Sequence, residues 1–176
     1  MLCLFVGHGS ALEDRYEHIV GKHNIGAAAG FITGNGLAYR YWFENGFGAQ
    51  VTFAPYYKRD ESYKDLWLNV GLSGYRILNQ GDQMNLFCYA GSNLIYEKSE
   101  YYDTYYEYEY ESEYQYNDYY YNDSESMNLS GGAGFGIDFH FWKISLNLMV
   151  GLRGTTDFKE RREVGFSTEG AAFYSF

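Results

Sequence analysis

Hydrophobic and polar residues alternate with a period of two along most of the chain from residue 24 onward. The clearest example lies over residues 129–141, where apolar and aromatic side chains occupy one parity and Gly, Ser, Asp and His occupy the other. A period of two predicts β-strands with one apolar face, because successive side chains in a strand point to opposite sides. The pattern predicts eight strands, over residues 24–33, 36–43, 47–58, 64–78, 84–97, 127–141, 144–156 and 163–176.

The connections between these segments alternate in length. Glu44-Asn45-Gly46 is one of three short turns, and its residues favour tight reversals. The intervening connections are longer, above all the stretch 98–126, whereas Gly34-Asn35 is a short exception. An even number of strands with short turns at one end and longer loops at the other is the layout of outer-membrane barrels. We therefore expect an all-β fold: an eight-stranded antiparallel up-and-down transmembrane β-barrel with one long extracellular loop.

Alternation does not show which face of a barrel is apolar, since a soluble lipocalin-like barrel has the same period with its apolar residues inside. Two features favour a membrane. The polar parity consists mostly of Gly, Ser, Asn and Ala, which suit a narrow lumen better than a hydrated surface. Aromatic residues also collect near strand ends, where the interfacial girdles of membrane barrels lie. The predicted interface residues are Tyr41, Trp42, Phe43, Phe139, Phe141, Trp142, Tyr174 and Phe176.

The composition agrees with a barrel and opposes several other classes of protein. The 21 Gly residues and the 21% of aromatic residues suit a crowded barrel wall. The net charge of −10 opposes nucleic acid binding, because no basic stripe is present to contact phosphates. The two Cys and four His residues lack metal-binding spacing, so we expect no metal and no cofactor. Residues 1–23 indicate either the remnant of a signal peptide or a disordered lead before a barrel over residues 24–176.

The chain resembles the outer-membrane protein A-like (porin-like) barrel family. The likeness lies in the strand-turn-strand Gly36–Phe53, in the eight-strand meander and in the final strand, which ends Gly170-Ala-Ala-Phe-Tyr-Ser-Phe176. In that family the barrel-assembly machinery reads a terminal aromatic residue, and Tyr174 and Phe176 match this feature here. The resemblance implies a location in the outer membrane of a Gram-negative bacterium, with outer-membrane lipid and the assembly machinery as partners.

Four charged residues fall on the parity predicted to face the lumen, namely Arg40, Asp138, Arg153 and Glu169. Unpaired charges in a narrow interior are costly, so we expect these to pair with one another or with lumen water. Arg40 and Asp138 lie at similar depth, and Glu169 is placed to reach Arg40 or Arg153. The set predicts salt bridges that close the lumen or, as an alternative, a gated ion path. His140 shares the inward parity without an evident Ser partner, and we expect no enzymatic activity.

The stretch 98–126 consists almost wholly of Tyr, acidic and small polar residues. Tyr alternates with acidic residues in its centre, which fits either a hairpin rising above the membrane or a disordered segment. Tyr offers a large contact area at small entropic cost, so the stretch is a candidate for adhesion or for capture of an extracellular ligand or host surface. The candidate binding residues are Tyr106, Tyr108, Tyr110, Tyr114 and Tyr116.

Three functions stay open at the level of sequence. The first is an outer-membrane barrel with a structural and surface-interaction role, exerted through residues 98–126 above a lumen closed by salt bridges. The second is a small passive channel of the porin type, and the third is a soluble barrel that binds a ligand inside. A solvated loop without a specific ligand is an equally good interpretation of residues 98–126.

Overall fold

The computed structural model describes residues 22–60, 63–106, 117–158 and 162–176, of which 102–106 and 117–122 are described by their backbone alone. The strands form one closed barrel in which each pairs antiparallel with its neighbours in the sequence and the last pairs with the first. This confirms the predicted up-and-down barrel. The described residues contain no helix that could cross a bilayer. The strands are β1 (His23–Ala29), β2 (Gly36–Trp42), β3 (Phe47–Arg59), β4 (Tyr63–Gln80), β5 (Met84–Tyr106), β6 (Asn117–Phe141), β7 (Ile144–Thr156) and β8 (Arg162–Ser175).

The barrel wall presents its apolar parity to the outside. In β7 exposed and buried positions alternate, so that Val150 is exposed and Asn147 is buried. Elsewhere on the wall Leu37 is 72% exposed and Phe166 is 86% exposed. Large exposed apolar side chains around a closed ring are stable against lipid and not against water. A soluble barrel with an apolar interior is therefore excluded, and the chain is a transmembrane barrel.

Glycines on the inward parity let neighbouring strands approach each other inside the narrow ring. A Cβ at Gly134 would overlap the carbonyl oxygen of Val150, whereas a Cβ at Gly131, on the outer face of the same strand, would have its nearest neighbour 3.6 Å away. We expect Gly134→Ala to lower the free energy of unfolding by about 1–3 kcal/mol, because the methyl group forces the strands apart. The matched control Gly131→Ala should change it by less than about 0.5 kcal/mol. Urea titration in lipid vesicles measures both, and equal losses would contradict the expectation.

β1 is shorter than predicted, and its connection to β2 is longer. The strand ends at Ala29 instead of residue 33, and residues 30–35, here called the plug loop, lead into β2. Ile32 and Thr33 are fully buried, so the plug loop turns into the barrel instead of extending its wall. The expectation of a two-residue Gly34-Asn35 connection is wrong because Ile32 finds apolar neighbours inside the lumen.

β5 and β6 are longer than predicted, because their pairing continues beyond the part of the barrel that faces lipid. The register extends without interruption to the Tyr106↔Asn117 pair. Of the two interpretations of residues 98–126, here called the hairpin, the ordered one is therefore formed over 98–106 and 117–126. The segment 1–21 and the candidate residues Tyr108, Tyr110, Tyr114 and Tyr116 lie outside the described residues.

Candidate functional site

The carboxylate of Glu169 holds the plug loop inside the upper lumen. It accepts hydrogen bonds from the backbone N–H of Ile32 at 2.8 Å, from the backbone N–H of Thr33 at 3.0 Å and from Thr33 Oγ1 at 2.7 Å. Ser167 Oγ donates a further bond to the same carboxylate at 2.7 Å. Glu169 is buried. Because hydrogen bonds to a charged acceptor are stronger than neutral ones, these four donors stabilise the buried charge and fix the loop at the same time.

The plug loop also packs closely against the inner face of β4 and is held by further hydrogen bonds. Asn69 Oδ1 accepts the backbone N–H of Asn35 at 2.9 Å, and Asn35 Oδ1 accepts that of Gly30 at 3.0 Å. Gly34 has a φ of 86°, and a Cβ there would lie 3.0 Å from both Asn69 Oδ1 and Gly71 Cα. Glycine is suited to this position because it adopts positive φ readily and leaves room for the neighbouring backbone. The loop thus occupies the extracellular end of the lumen.

Large side chains pack inside the lumen, next to the plug loop. The rings of Tyr75 and Phe87 meet edge to face at 5.5 Å, and those of Tyr75 and Tyr89 stack at 6.1 Å. Trp42 lies 6.0 Å from Tyr75 and is buried. The sequence-based placement of Trp42 at the membrane interface is therefore wrong, since its parity points inward. The apolar side chains of Ile32, Ile77 and Met149 pack against these four rings, and the seven residues together are here called the aromatic layer.

Arg40 anchors a hydrogen-bonded network beside this aromatic layer. It is 1% exposed, and its Nε and Nη2 donate to Gln50 Oε1 at 3.0 and 2.7 Å. Its guanidinium also lies 4.2 Å from the centre of the Tyr75 ring, a cation–π contact. Nη1 donates to Asn147 Oδ1, and Asn147 Nδ2 donates to Asp138 Oδ1 at 2.5 Å. Asn147 therefore links the buried guanidinium to the buried carboxylate.

The four predicted lumen charges do not form one salt-bridge cluster. Arg40 reaches Asp138 only through the Asn147 amide, and Glu169 binds the plug loop instead of an arginine. Arg153 is half-buried and lies 3.8 Å above the ring of Phe31. Among the described residues, no ion pair joins two of the four. The prediction of a lumen closed by salt bridges is therefore corrected to closure by hydrogen bonds and aromatic packing.

His140 lies at the periplasmic end of this network. Its Nε2 is 3.1 Å from Asp138 Oδ2 and 2.6 Å from Asn85 Nδ2, and it lines a polar pocket of about 320 Å³ at the barrel mouth. The sequence offered no Ser partner for it, yet the register places Ser145 directly opposite. Because the ring nitrogen is directed at Asp138 and Asn85, the arrangement is that of a structural link to the network.

The predicted interface residues other than Trp42 lie on or next to the periplasmic ends of β2, β6 and β8, and each is exposed or half-buried. Trp142 is the most prominent, being 91% exposed at the β6–β7 turn. Lys143 Nζ lies 5.9 Å from the Trp142 ring and 5.7 Å from the Tyr174 ring. Amphipathic aromatics and lysines at one level mark a boundary between lipid and water. The exposed or half-buried members are Tyr41, Phe43, Phe139, Phe141, Trp142, Tyr174 and Phe176.

Sequence reasoning missed the amides that organise the lumen. Asn147 links Arg40 to Asp138, Gln50 accepts two hydrogen bonds from Arg40, and Thr33 fastens the plug loop, although none of these three residues carries a charge. A usable signal existed, because each amide lies on the inward parity of the strand next to a predicted lumen charge: Gln50 is opposite Arg40, and Asn147 is opposite Asp138. Buried amides of this kind are the expected partners of a buried arginine.

The closed ring of eight strands, its apolar wall and its polar, filled lumen define an outer-membrane β-barrel. Single-chain barrels of this kind, with an even number of strands, are proteins of bacterial outer membranes. No family model and no curated protein matches the sequence.

Solved structures with a similar fold are outer-membrane barrels at low sequence identity. The N-terminal β-barrel domain of Pseudomonas aeruginosa OprF is similar with a TM-score of 0.49 and 10% identity over 89% of this chain and 98% of that one. Ail, the attachment invasion locus protein of Yersinia pestis, is similar with a TM-score of 0.47 and 15% identity over 89% and 99% of the two chains. Neisserial surface protein A has a TM-score of 0.40 and 14% identity over 88% and 93%.

Proposed function

We propose that this outer-membrane barrel presents its hairpin at the cell surface for adhesion or ligand capture. Strand length carries the proposal. β5 has 23 residues and β6 has 25, whereas a tilted strand crosses a bilayer in about 9–11 residues. More than half of each strand therefore extends beyond the membrane as paired β-structure.

The hairpin stands on a base broader than its own two strands. β4 accompanies β5 as far as the Tyr63↔Tyr101 pair, whose rings stack at 6.3 Å. Lys64 Nζ and Lys98 Nζ contact the carboxylate of Glu100 at 3.1 and 2.9 Å. Three paired strands are stable where an isolated hairpin is marginal. The base therefore supports the described part of the hairpin, residues 98–106 and 117–126, and we expect this support to lower the entropy lost when a partner binds.

The residue types of the hairpin favour contact with a basic, extended partner surface. Residues 99–141 contain no Lys or Arg, while Tyr and acidic residues dominate 100–125. Aromatic side chains supply contact area, and negative charge steers a positively charged surface toward them.

A passive channel has less support than a surface role. The plug loop, the aromatic layer and the Arg40 network together fill the lumen with buried groups. A solute would have to displace buried groups at each of them, and buried hydrogen-bonded groups are costly to separate.

Removal of the hairpin tests the proposed function. We replace residues 102–121 with Asn-Gly, which joins the paired residues Tyr101 and Asn122 by a two-residue turn. We expect the shortened barrel to stay folded, as a band that shifts on boiling would show. We also expect bacteria that display it to adhere at least about tenfold less to cultured epithelial cells and to immobilised matrix proteins, a factor that corresponds to 1.4 kcal/mol.

A full-length variant separates charge from shape. Changing Glu107, Glu109 and Glu111 to Gln keeps the length of the hairpin and removes three negative charges. We expect an intermediate loss of adherence that is larger at low salt, because exposed charges are screened by ions. Equal adherence of the complete and the shortened barrel would refute a surface-binding role.

A further inference from the structure

The outer wall of the barrel contains a trough near its extracellular edge. Its floor is a row of small residues that face each other on adjacent strands, Ser92 on β5, Gly131 on β6 and Gly154 on β7. Leu129, Val164 and Phe158 line its sides, and the trough encloses about 910 Å³. Val164 is 86% exposed on the outer face, and Gly131, Gly154 and Arg162 share its outward parity, so the trough opens toward the outside of the barrel.

The trough lies at the level of the outer leaflet. Gly154 lies near the extracellular end of β7, a strand of 13 residues that begins at the periplasmic rim. Since a tilted strand needs about 9–11 residues to cross the bilayer, Gly154 marks the boundary between acyl chains and headgroups. Arg162 on β8 pairs with Thr156, two residues beyond Gly154 on β7. Its side chain is exposed on the same outer face as Gly154.

We infer that this trough binds one phosphorylated, multiply acylated glycolipid of the outer leaflet. An acyl chain fits the apolar floor and sides, and the guanidinium of Arg162 at the upper rim matches a phosphate in charge and geometry. Glu163 also borders the trough, but it belongs to the opposite parity of β8, where its strand partner is the inward Thr155.

The concave shape favours a lipid over a second copy of the chain. Two barrels meet through convex walls, which contact each other along a line and leave a trough empty. A flexible acyl chain can fill it, and filling it recovers dispersion contacts that a void forfeits. The open space above Gly131 and Gly154, where an added Cβ would have its nearest neighbours 3.6 and 4.0 Å away, is the space that the chain would take.

The test uses the refolded full-length barrel in detergent with purified lipid A as the probe. Native mass spectrometry gives the number of bound lipids, and titration gives the affinity. We expect one saturable site that Gly154→Leu weakens at least tenfold by filling the trough, and that Arg162→Gln weakens about tenfold. The matched controls are Gly74→Leu, at another open outward glycine with its nearest neighbour 3.9 Å away, and Arg59→Gln, at another exposed outer arginine.

Lipid A without its phosphates provides a second, independent test of the phosphate contact. We expect it to bind the wild-type barrel as weakly as intact lipid A binds Arg162→Gln. Equal affinity across all four variants, or equal affinity for both lipids, would overturn the inference. So would a dimer of the wild-type barrel that Gly154→Leu dissociates, because the trough would then hold a second copy. If Gly154→Leu fails to fold, Arg162→Gln and the dephosphorylated lipid still decide.

Discussion

Replacing Glu169 with Ala should release the plug loop and cost the barrel a large part of its stability. The substitution removes the only carboxylate that Ile32 N–H and Thr33 N–H contact in the described structure. A buried donor left without an acceptor costs about 1–3 kcal/mol, so two of them lower the free energy of unfolding by roughly 2–6 kcal/mol. Urea titration in lipid vesicles, followed by tryptophan fluorescence, measures the loss.

Two companion variants show that the effect belongs to the carboxylate. Glu169→Gln keeps one acceptor oxygen and should lose about half as much stability. Thr168→Ala, at the adjacent outward-facing residue, should change the free energy of unfolding by less than about 0.5 kcal/mol. Amide hydrogen exchange at Ile32 and Thr33 should accelerate in Glu169→Ala and not in Thr168→Ala. Unchanged exchange in Glu169→Ala would show that the loop is held by its other contacts.

The wall of the barrel could be predicted from the sequence because every residue there faces one of two very different environments. Lipid on one side and a crowded lumen on the other impose the period of two on segments such as β7. Where both faces of a strand meet the same environment, the alternation of apolar and polar residues disappears. Beyond the membrane both faces of β5 and β6 meet water, so the apolar parity stops while the strands continue to pair.

The lumen was less predictable, since parity gives direction but not partners. Arg40, Asp138 and Glu169 are inward and buried, as expected, yet the partner of each depends on the stagger between strands. The plug loop was hidden for a different reason: Ala and Gly dominate both parities of residues 24–33, so nothing in that segment marks where β1 ends. Small residues such as Ala and Gly indicate close packing, but they do not indicate which segment packs against them.

A double-mutant cycle between Arg40 and Asp138 should show a coupling that the pair Arg40 and Glu169 lacks. Arg40→Met alone removes the bonds to Gln50 and Asn147 and leaves the buried Asp138 carboxylate without the guanidinium that Asn147 links to it, which should cost about 3–5 kcal/mol. Asp138→Asn removes that charge. In the double variant the two losses should therefore overlap by at least about 1 kcal/mol.

The comparison pair uses Arg40→Met with Glu169→Gln. Within the described residues these two share no hydrogen-bond partner, since Glu169 contacts Ile32, Thr33 and Ser167 while Arg40 contacts Gln50 and Asn147. Their losses should add to within about 0.5 kcal/mol, as they do for independent sites. Equal coupling in both cycles would mean that the lumen charges act as one electrostatic cluster after all. Coupling confined to Arg40 and Asp138 would instead show that the Arg40 network and the plug loop close the lumen independently of each other.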